Sequence, residues 1–183
     1  YISYRQSGKT INLLRYALLD IIQGNKTILF IVHSGSMVKE IKSRLEILLD
    51  LLGDNSPVIS SNTNSSIIFE NGAKFVCRPA SSDAGRGLSI DTLLIDEAAY
   101  INHSNLKDLM SNILPRIPCG SKIHIATTLS NHEGPLNDLI NSGNWKIKIL
   151  PYSKSHKFNQ ENIQSFKHLY GEDLYNLYYE CKK

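Results

Sequence analysis

LLIDEA, residues 93–98, carries an apolar segment directly into two adjacent carboxylates, Asp96 and Glu97. Within DTLLIDEAAYI (91–101) it reads as a short buried strand whose carboxyl end is acidic. Doubly wound sheets bind their ligands outside the carboxyl ends of their strands. An acidic pair at a helix start could instead simply complement the helix dipole. A second stretch decides between these readings: SYRQSGKT (3–10), followed by Ile11, Leu14, Leu18, Ile21 and Ile22 at helical spacing. Gly8-Lys9-Thr10 ahead of an amphipathic helix offers backbone N–H groups, a cation and a hydroxyl, which a polyphosphate and its magnesium require. The general pattern is G-x-x-x-x-G-K-[ST], and Ser3 stands where it has its first glycine. Each motif alone is weak; together they imply a nucleoside triphosphatase.

The rest of the chain supplies the frame. TILFIVH (27–33) reads as a buried strand, and Val38, Ile41, Leu45, Leu48, Leu49 and Leu52 mark a second helix ending at Gly53. Residues 55–66, rich in Ser and Asn, read as a loop. IIFENGAKFVCR (67–78) is a hairpin signature, with Asn71-Gly72 at the turn. A helix at 106–114 stops at Pro115 and Pro118, KIHIATT (122–128) is a further strand, and 135–140 a short helix. WKIKILPYS (145–153) alternates as an edge strand does, and the tail has apolar residues at helical spacing from Ile163 to Tyr178. Alternating helices and mostly unbroken apolar strands predict an α/β fold with a mainly parallel sheet covered on both faces.

Composition excludes several classes. The chain has 183 residues, 42% of them hydrophobic and 20% charged, which is neither a disordered nor a collagen-like balance. No apolar run has the roughly 18 residues that a membrane span needs. Cys77, Cys119 and Cys181 are odd in number and widely spaced, which argues against a disulfide framework or a zinc knuckle. The net charge of +3 is local: residues 1–143 carry 13 basic and 13 acidic side chains, and 144–183 carry seven Lys against four Asp or Glu. Lys146, Lys148, Lys154 and Lys157 could track phosphates, but a lysine row on an edge strand reads better as a solvated face that blocks edge pairing. His33, His103, His124, His132, His156 and His168 show no metal-ligand spacing and read as structural.

YRQSGKT, LLIDEAAYI and ATTLSN, in that order, resemble the ATPase motor of the large terminase subunit of tailed bacteriophages. That family has a deviant phosphate loop of the form R-Q-x-G-K-[ST], which accommodates Ser3. AGRG (84–87) and the Trp-containing segment followed by Tyr178–Cys181 match as well, so the resemblance spans essentially the whole chain. It implies a RecA/ASCE-like P-loop NTPase that uses ATP and Mg2+ to move double-stranded DNA into a procapsid. It further implies a homo-oligomeric ring with a portal protein and a small terminase subunit as partners, in the host cell cytoplasm and without a membrane. Carried over by position, Gln6, Ser7, Gly8, Lys9, Thr10 and Asp96 bind the nucleotide, with Thr10 and Asp96 at the metal. Glu97 is the catalytic base, and Thr127, Thr128 and Ser130 couple hydrolysis to movement. Arg5 stabilises γ-phosphate charge in cis; alternatively it orders the loop while a neighbouring subunit supplies Arg86 or Arg116.

The expected organisation is an ATPase core over 1–150, lacking its N-terminal part, and a segment over 151–183 leading to an absent nuclease domain. Asp50, Asp54, Asp83, Asp91 and Asp108 lie on expected helix ends and loops without strand context, so no nuclease activity is expected. A helicase-like translocase and a nucleotide-binding assembly module with little turnover are the competing readings.

Overall fold

In TILFIV both alternating sets of side chains are apolar, so the strand they form has to be covered twice. The computed structural model describes residues 1–129, 135–156 and 159–182, with the backbone alone at 103 and 135. In it, β2 (Thr27–Val32) turns Ile28, Phe30 and Val32 to one face and Leu29 and Ile31 to the other. The helices α1 (Lys9–Gln23) and α2 (Ser36–Asp50) cover the first face with Leu14, Ala17, Ile21, Ile41 and Leu45, all fully buried. The opposite face is closed by α3 (His103–Ile113) through Leu106, Leu109 and Ile113. Burying such a side chain contributes about 1.5–3 kcal/mol, so packing outweighs the few tenths per residue of intrinsic helix preference.

The main sheet runs β3 (Ile59–Asn62), β4 (Ser66–Phe69), β5 (Lys74–Pro79), β2, β6 (Thr92–Asp96), β7 (Lys122–Ala126). From β5 to β7 all pairings are parallel, while β3 and β4 form an antiparallel extension. Beyond β7 lie β1 (Ile2–Ser3) and β8 (Ile149–Leu150), parallel to each other, with Ile2 bridged in parallel to Thr127. The strand leading into the phosphate loop is therefore separated from the acidic strand β6 by β7. All three deliver their carboxyl ends to one rim. This is the mostly parallel α/β architecture of P-loop type that the sequence predicts.

Three expectations need correction. Residues 55–66 are not all loop, because they contain β3. Its four residues are all exposed and three of them polar, and it exists through main-chain pairing with β4, so no hydrophobic alternation announces it. Only Ile149 and Leu150 of 145–153 form a strand: the partner β1 offers two residues, and Pro151 then removes a donor. The apparent alternation there is no sheet face, since Ile147 and Ile149 are themselves exposed. The tail forms two helices, α5 (Gln160–Tyr170) and α6 (Glu172–Tyr178), parted by Gly171 at φ 76°.

The tail packs back on β1. Tyr4 joins Tyr152, Tyr175 and Tyr179 in a small aromatic core, with Phe166 stacked 4.5 Å from the Tyr179 ring. Main-chain bonds tie it down: Tyr4 N–H to Leu150, Arg5 N–H to Tyr178 and Tyr152 N–H to Tyr179. The residue preceding Arg5 is thus part of the tail's core. Gly85 in AGRG is required by close packing, because a Cβ there would lie 2.8 Å from Ile113 Cγ1. The remaining helix, α4 (Pro135–Asn141), follows β7. No helix among the described residues is long and apolar enough to cross a membrane.

Candidate active site at the carboxyl ends of β1, β6 and β7

The turn between β1 and α1 uses two left-handed residues, Gln6 at φ 59° and Gly8 at φ 84°. Glycine adopts this conformation freely, whereas glutamine is strained in it. The amides of Gln6, Ser7, Gly8, Lys9 and Thr10 donate to no protein acceptor among the described residues. They surround the N-terminus of a 15-residue helix, where the helix dipole favours an anion. Ser3, in the position of the missing glycine, shares a 2.6 Å hydrogen bond between its hydroxyl and that of Ser7, so the substitution fastens the loop.

Lys9 is 4% exposed. Its ammonium donates to the Tyr4 carbonyl at 3.2 Å and lies 3.4 Å from Glu97 Oε1. Thr10 Oγ1 donates to Asp96 Oδ2 at 2.6 Å. Asp96 is 3% exposed, and burial above all, with the neighbouring Glu97 carboxylate, raises its pKa, opposed by the Thr10 bond and by Lys9. Among the described residues its other oxygen, Oδ1, is buried with no hydrogen-bond partner, and so is Glu97 Oε2.

A buried carboxylate oxygen without a donor, beside a hydroxyl at a phosphate loop, suits a hard divalent cation. The residues present therefore fit Mg2+, and the free amides fit a polyphosphate. Glu97 has φ 50°, rare for a side chain of this kind, which turns its carboxylate out of the strand direction and beside Lys9.

Thr127 and Thr128 are each 2% exposed at the end of β7. The Thr127 hydroxyl accepts from the Ala99 amide at 3.0 Å and donates to the Thr128 carbonyl at 2.9 Å. Its main chain bonds both Tyr1 and Ser3. Thr127 therefore links the turn after Glu97 to the strand that feeds the phosphate loop. Ser130, His132 and Lys157 lie outside the described residues, as does the side chain of His103. Lys146, Lys148 and Lys154 are exposed.

The structure brings Arg5 to the same rim and adds partners that spacing does not reveal. Arg5 Nη2 donates to the Tyr100 hydroxyl at 2.9 Å, and its guanidinium lies over the Tyr178 ring, 4.0 Å from the centroid. A cleft of about 680 Å³ between α1, β7 and α4 has Tyr16 stacked on His124, with Lys9 on its wall. Neither Asp96 nor Glu97 lines it, and Lys9, 3.4 Å from Glu97, stands between the cleft and the carboxylate pair.

A family profile described as terminase large subunit, T4likevirus-type, N-terminal, matches residues 4–142. The fold is shared with the large terminase ATPase domain of Thermus phage P74-26, at 14% identity and a TM-score of 0.72 over 99% of this chain and 86% of that one. The large terminase of a thermophilic bacteriophage in complex with ADP matches at 13% identity and a TM-score of 0.69, over 98% of this chain. HK97 large terminase matches at 13% and 0.68, over 91%. The chain spans 46% of the ADP-bound terminase and 37% of the HK97 protein. Because the profile match takes in the phosphate loop, the acidic strand and everything between them, the chain belongs to the family of N-terminal regions of T4likevirus-type terminase large subunits.

Proposed function

We propose that this chain is the ATP-hydrolysing motor of a viral DNA-packaging machine, coupling ATP turnover to translocation of double-stranded DNA into a procapsid. The observation that carries the reading is the Thr10–Asp96 hydrogen bond: it joins the phosphate loop to the acidic strand across an intervening strand. ATP would lay its phosphates against the amides of Gln6, Ser7, Gly8, Lys9 and Thr10. Lys9 would leave Glu97 for the β and γ oxygens, since a triphosphate carries more charge than one carboxylate. Thr10 and Asp96 would hold Mg2+, which supplies neutralisation of charge on the phosphate oxygens.

Release from Lys9 leaves Glu97 free to accept a proton from the attacking water. That water's oxygen forms a bond to the γ-phosphorus as the bond to the ADP oxygen breaks, giving ADP and inorganic phosphate. Arg5 would meet charge developing on the equatorial oxygens, a task suited to a planar guanidinium. Thr127 and Thr128 would pass the change at the acidic turn to β7 and β1, with Ser130 continuing that segment. Residues 1–150 then form the ATPase core, and 151–183 the segment leading toward a nuclease domain. The partners in this reading are double-stranded DNA, a portal protein, a small terminase subunit and further copies of this chain in a ring, in the host cell cytoplasm.

Binding of a fluorescent ATP analogue to wild type and to Lys9→Ala tests the site. Magnesium-dependent binding that the substitution abolishes supports the reading; equal binding by both proteins contradicts it.

A further inference from the structure

Arg5 opens the phosphate loop, yet two tyrosines from other parts of the chain hold its side chain. Tyr100 accepts from its guanidinium at 2.9 Å, and the Tyr178 ring lies beneath the guanidinium at 4.0 Å. The Arg5 amide also donates to the Tyr178 carbonyl at 3.2 Å. Tyr100 ends the short turn that leaves Glu97, and Tyr178 is the last residue of α6. One cation thus touches the phosphate loop, the acidic turn and the tail.

We propose that Tyr178 and Tyr100 are positioning residues for Arg5: they aim its guanidinium along the rim and compete for it with the γ-phosphate, so that α6 registers whether a triphosphate is bound. The inference rests on the reading of Arg5 as the γ-phosphate cation. Both tyrosines are neutral partners. A guanidinium has five N–H donors, and Tyr100 takes one of them among the described residues. Phosphate offers charge-assisted, bidentate bonds about twice as strong as neutral ones, whereas a cation–π contact near the surface is at the weak end of its range. A triphosphate therefore wins the guanidinium, and ADP, which has no γ-phosphate, leaves it on the ring.

Tyr178 is also a partly buried member of the tail's aromatic cluster, so its loss could loosen the tail without involving Arg5. A double-mutant cycle separates the two effects. ATP turnover and nucleotide affinity are measured for wild type, Arg5→Ala, Tyr178→Leu, Tyr178→Phe and the Arg5→Ala/Tyr178→Leu double variant. Removing the ring removes the competitor, so Tyr178→Leu is expected to bind a non-hydrolysable ATP analogue about 5-fold more tightly with ADP affinity unchanged, Tyr178→Phe to bind both as wild type does, and Tyr178→Leu to add nothing once Arg5 is alanine. Multiplicative single effects, or a Tyr178→Leu protein that binds the ATP analogue as wild type does, would overturn the proposal while leaving the ATPase reading intact.

Hydrogen exchange of residues 172–182 supplies a readout independent of turnover. Exchange should rise with a non-hydrolysable ATP analogue but not with ADP. In Arg5→Ala it should already be fast without nucleotide and insensitive to it. Exchange that is the same in wild type and Arg5→Ala contradicts the proposal whether or not ATP is hydrolysed.

Discussion

The hydroxyl of Thr10 donates to Asp96 Oδ2 at 2.6 Å, across 86 residues of chain, and leaves Asp96 Oδ1 buried without a partner among the described residues. The pair is satisfied on one side and open on the other. A site arranged in this way holds a desolvated negative charge in reserve for a cation, and the free protein is less stable for it.

Asp96→Asn should consequently stabilise the protein by about 0.5–2 kcal/mol, as substitutions at strained functional sites commonly do. In a chain of this size that is roughly 2–4 °C in Tm per kcal/mol. The substitution should also abolish the magnesium dependence of nucleotide binding. The pH dependence follows from the raised pKa of Asp96, caused first by burial. A group raised in the folded state contributes stability that is complete below its unfolded pKa and is lost as pH rises through the folded one. The stability gained by Asp96→Asn should therefore grow between acid and neutral pH, as thermal melts at a series of pH values would show. A gain that shrinks with rising pH would contradict this account.

His124 shifts in the opposite direction. Burial first, then Lys122, lowers its pKa, and among the described residues its Nε2 is buried without a partner against the stacked Tyr16 ring. Asp20 acts against this, and the ammonium of Tyr1 adds to it. A base lowered in the folded state contributes stability that is present above its unfolded pKa of about 6.5 and is lost as pH falls toward the folded value. His124→Phe keeps the stacking and cannot be protonated, so its melts should lose the part of the acid destabilisation that sets in below the usual imidazole range. A pH profile identical to wild type would place that titration elsewhere.

Thr127→Val removes the acceptor of the Ala99 amide while keeping the shape of the side chain. The Ala99 amide is part-buried, so leaving it unpaired should cost about 1 kcal/mol, the low end for an unsatisfied donor. Thr127→Ser, which retains the hydroxyl, should stay much closer to wild type in denaturant melts. Equal destabilisation by both variants would mean that the hydroxyl's bonds contribute no more than the methyl group's packing.

Arg5→Ala should spare ADP affinity, weaken ATP binding only modestly and slow turnover by about 1000-fold, the lower end of what a γ-phosphate arginine contributes. Arg5→Lys should recover little, because an ammonium lacks the bidentate fork. Parallel measurement of affinity and kcat checks both, and loss of the two together would make Arg5 a structural residue of the loop.

The legible parts of the fold were those with period and punctuation. β2 and β6 are unbroken apolar runs, α1 follows its Gly-Lys-Thr, and the 71–72 turn is marked by Asn-Gly, although Gly72 alone of the two has positive φ. The exposed strand β3 is held by main-chain bonds, which leave no trace in side-chain type. Within the site, the loop, Asp96 and Glu97 could be placed because one strand and one helix start determine them locally. Tyr100 and Tyr178 could not be placed at Arg5. Their contacts with it depend on how α6 packs against β1 through Tyr4, Tyr152, Tyr175 and Tyr179, a long-range arrangement with no local pattern.

The central claim is that Glu97 activates water against the γ-phosphate of ATP held by Lys9 and Thr10. Single-turnover cleavage of radiolabelled ATP by wild type and Glu97→Gln, with nucleotide affinity measured on the same samples, tests it most directly. The account predicts unchanged affinity and cleavage slowed by about 100-fold or more, as expected when a general base is lost. Cleavage at the wild-type rate in Glu97→Gln would contradict it.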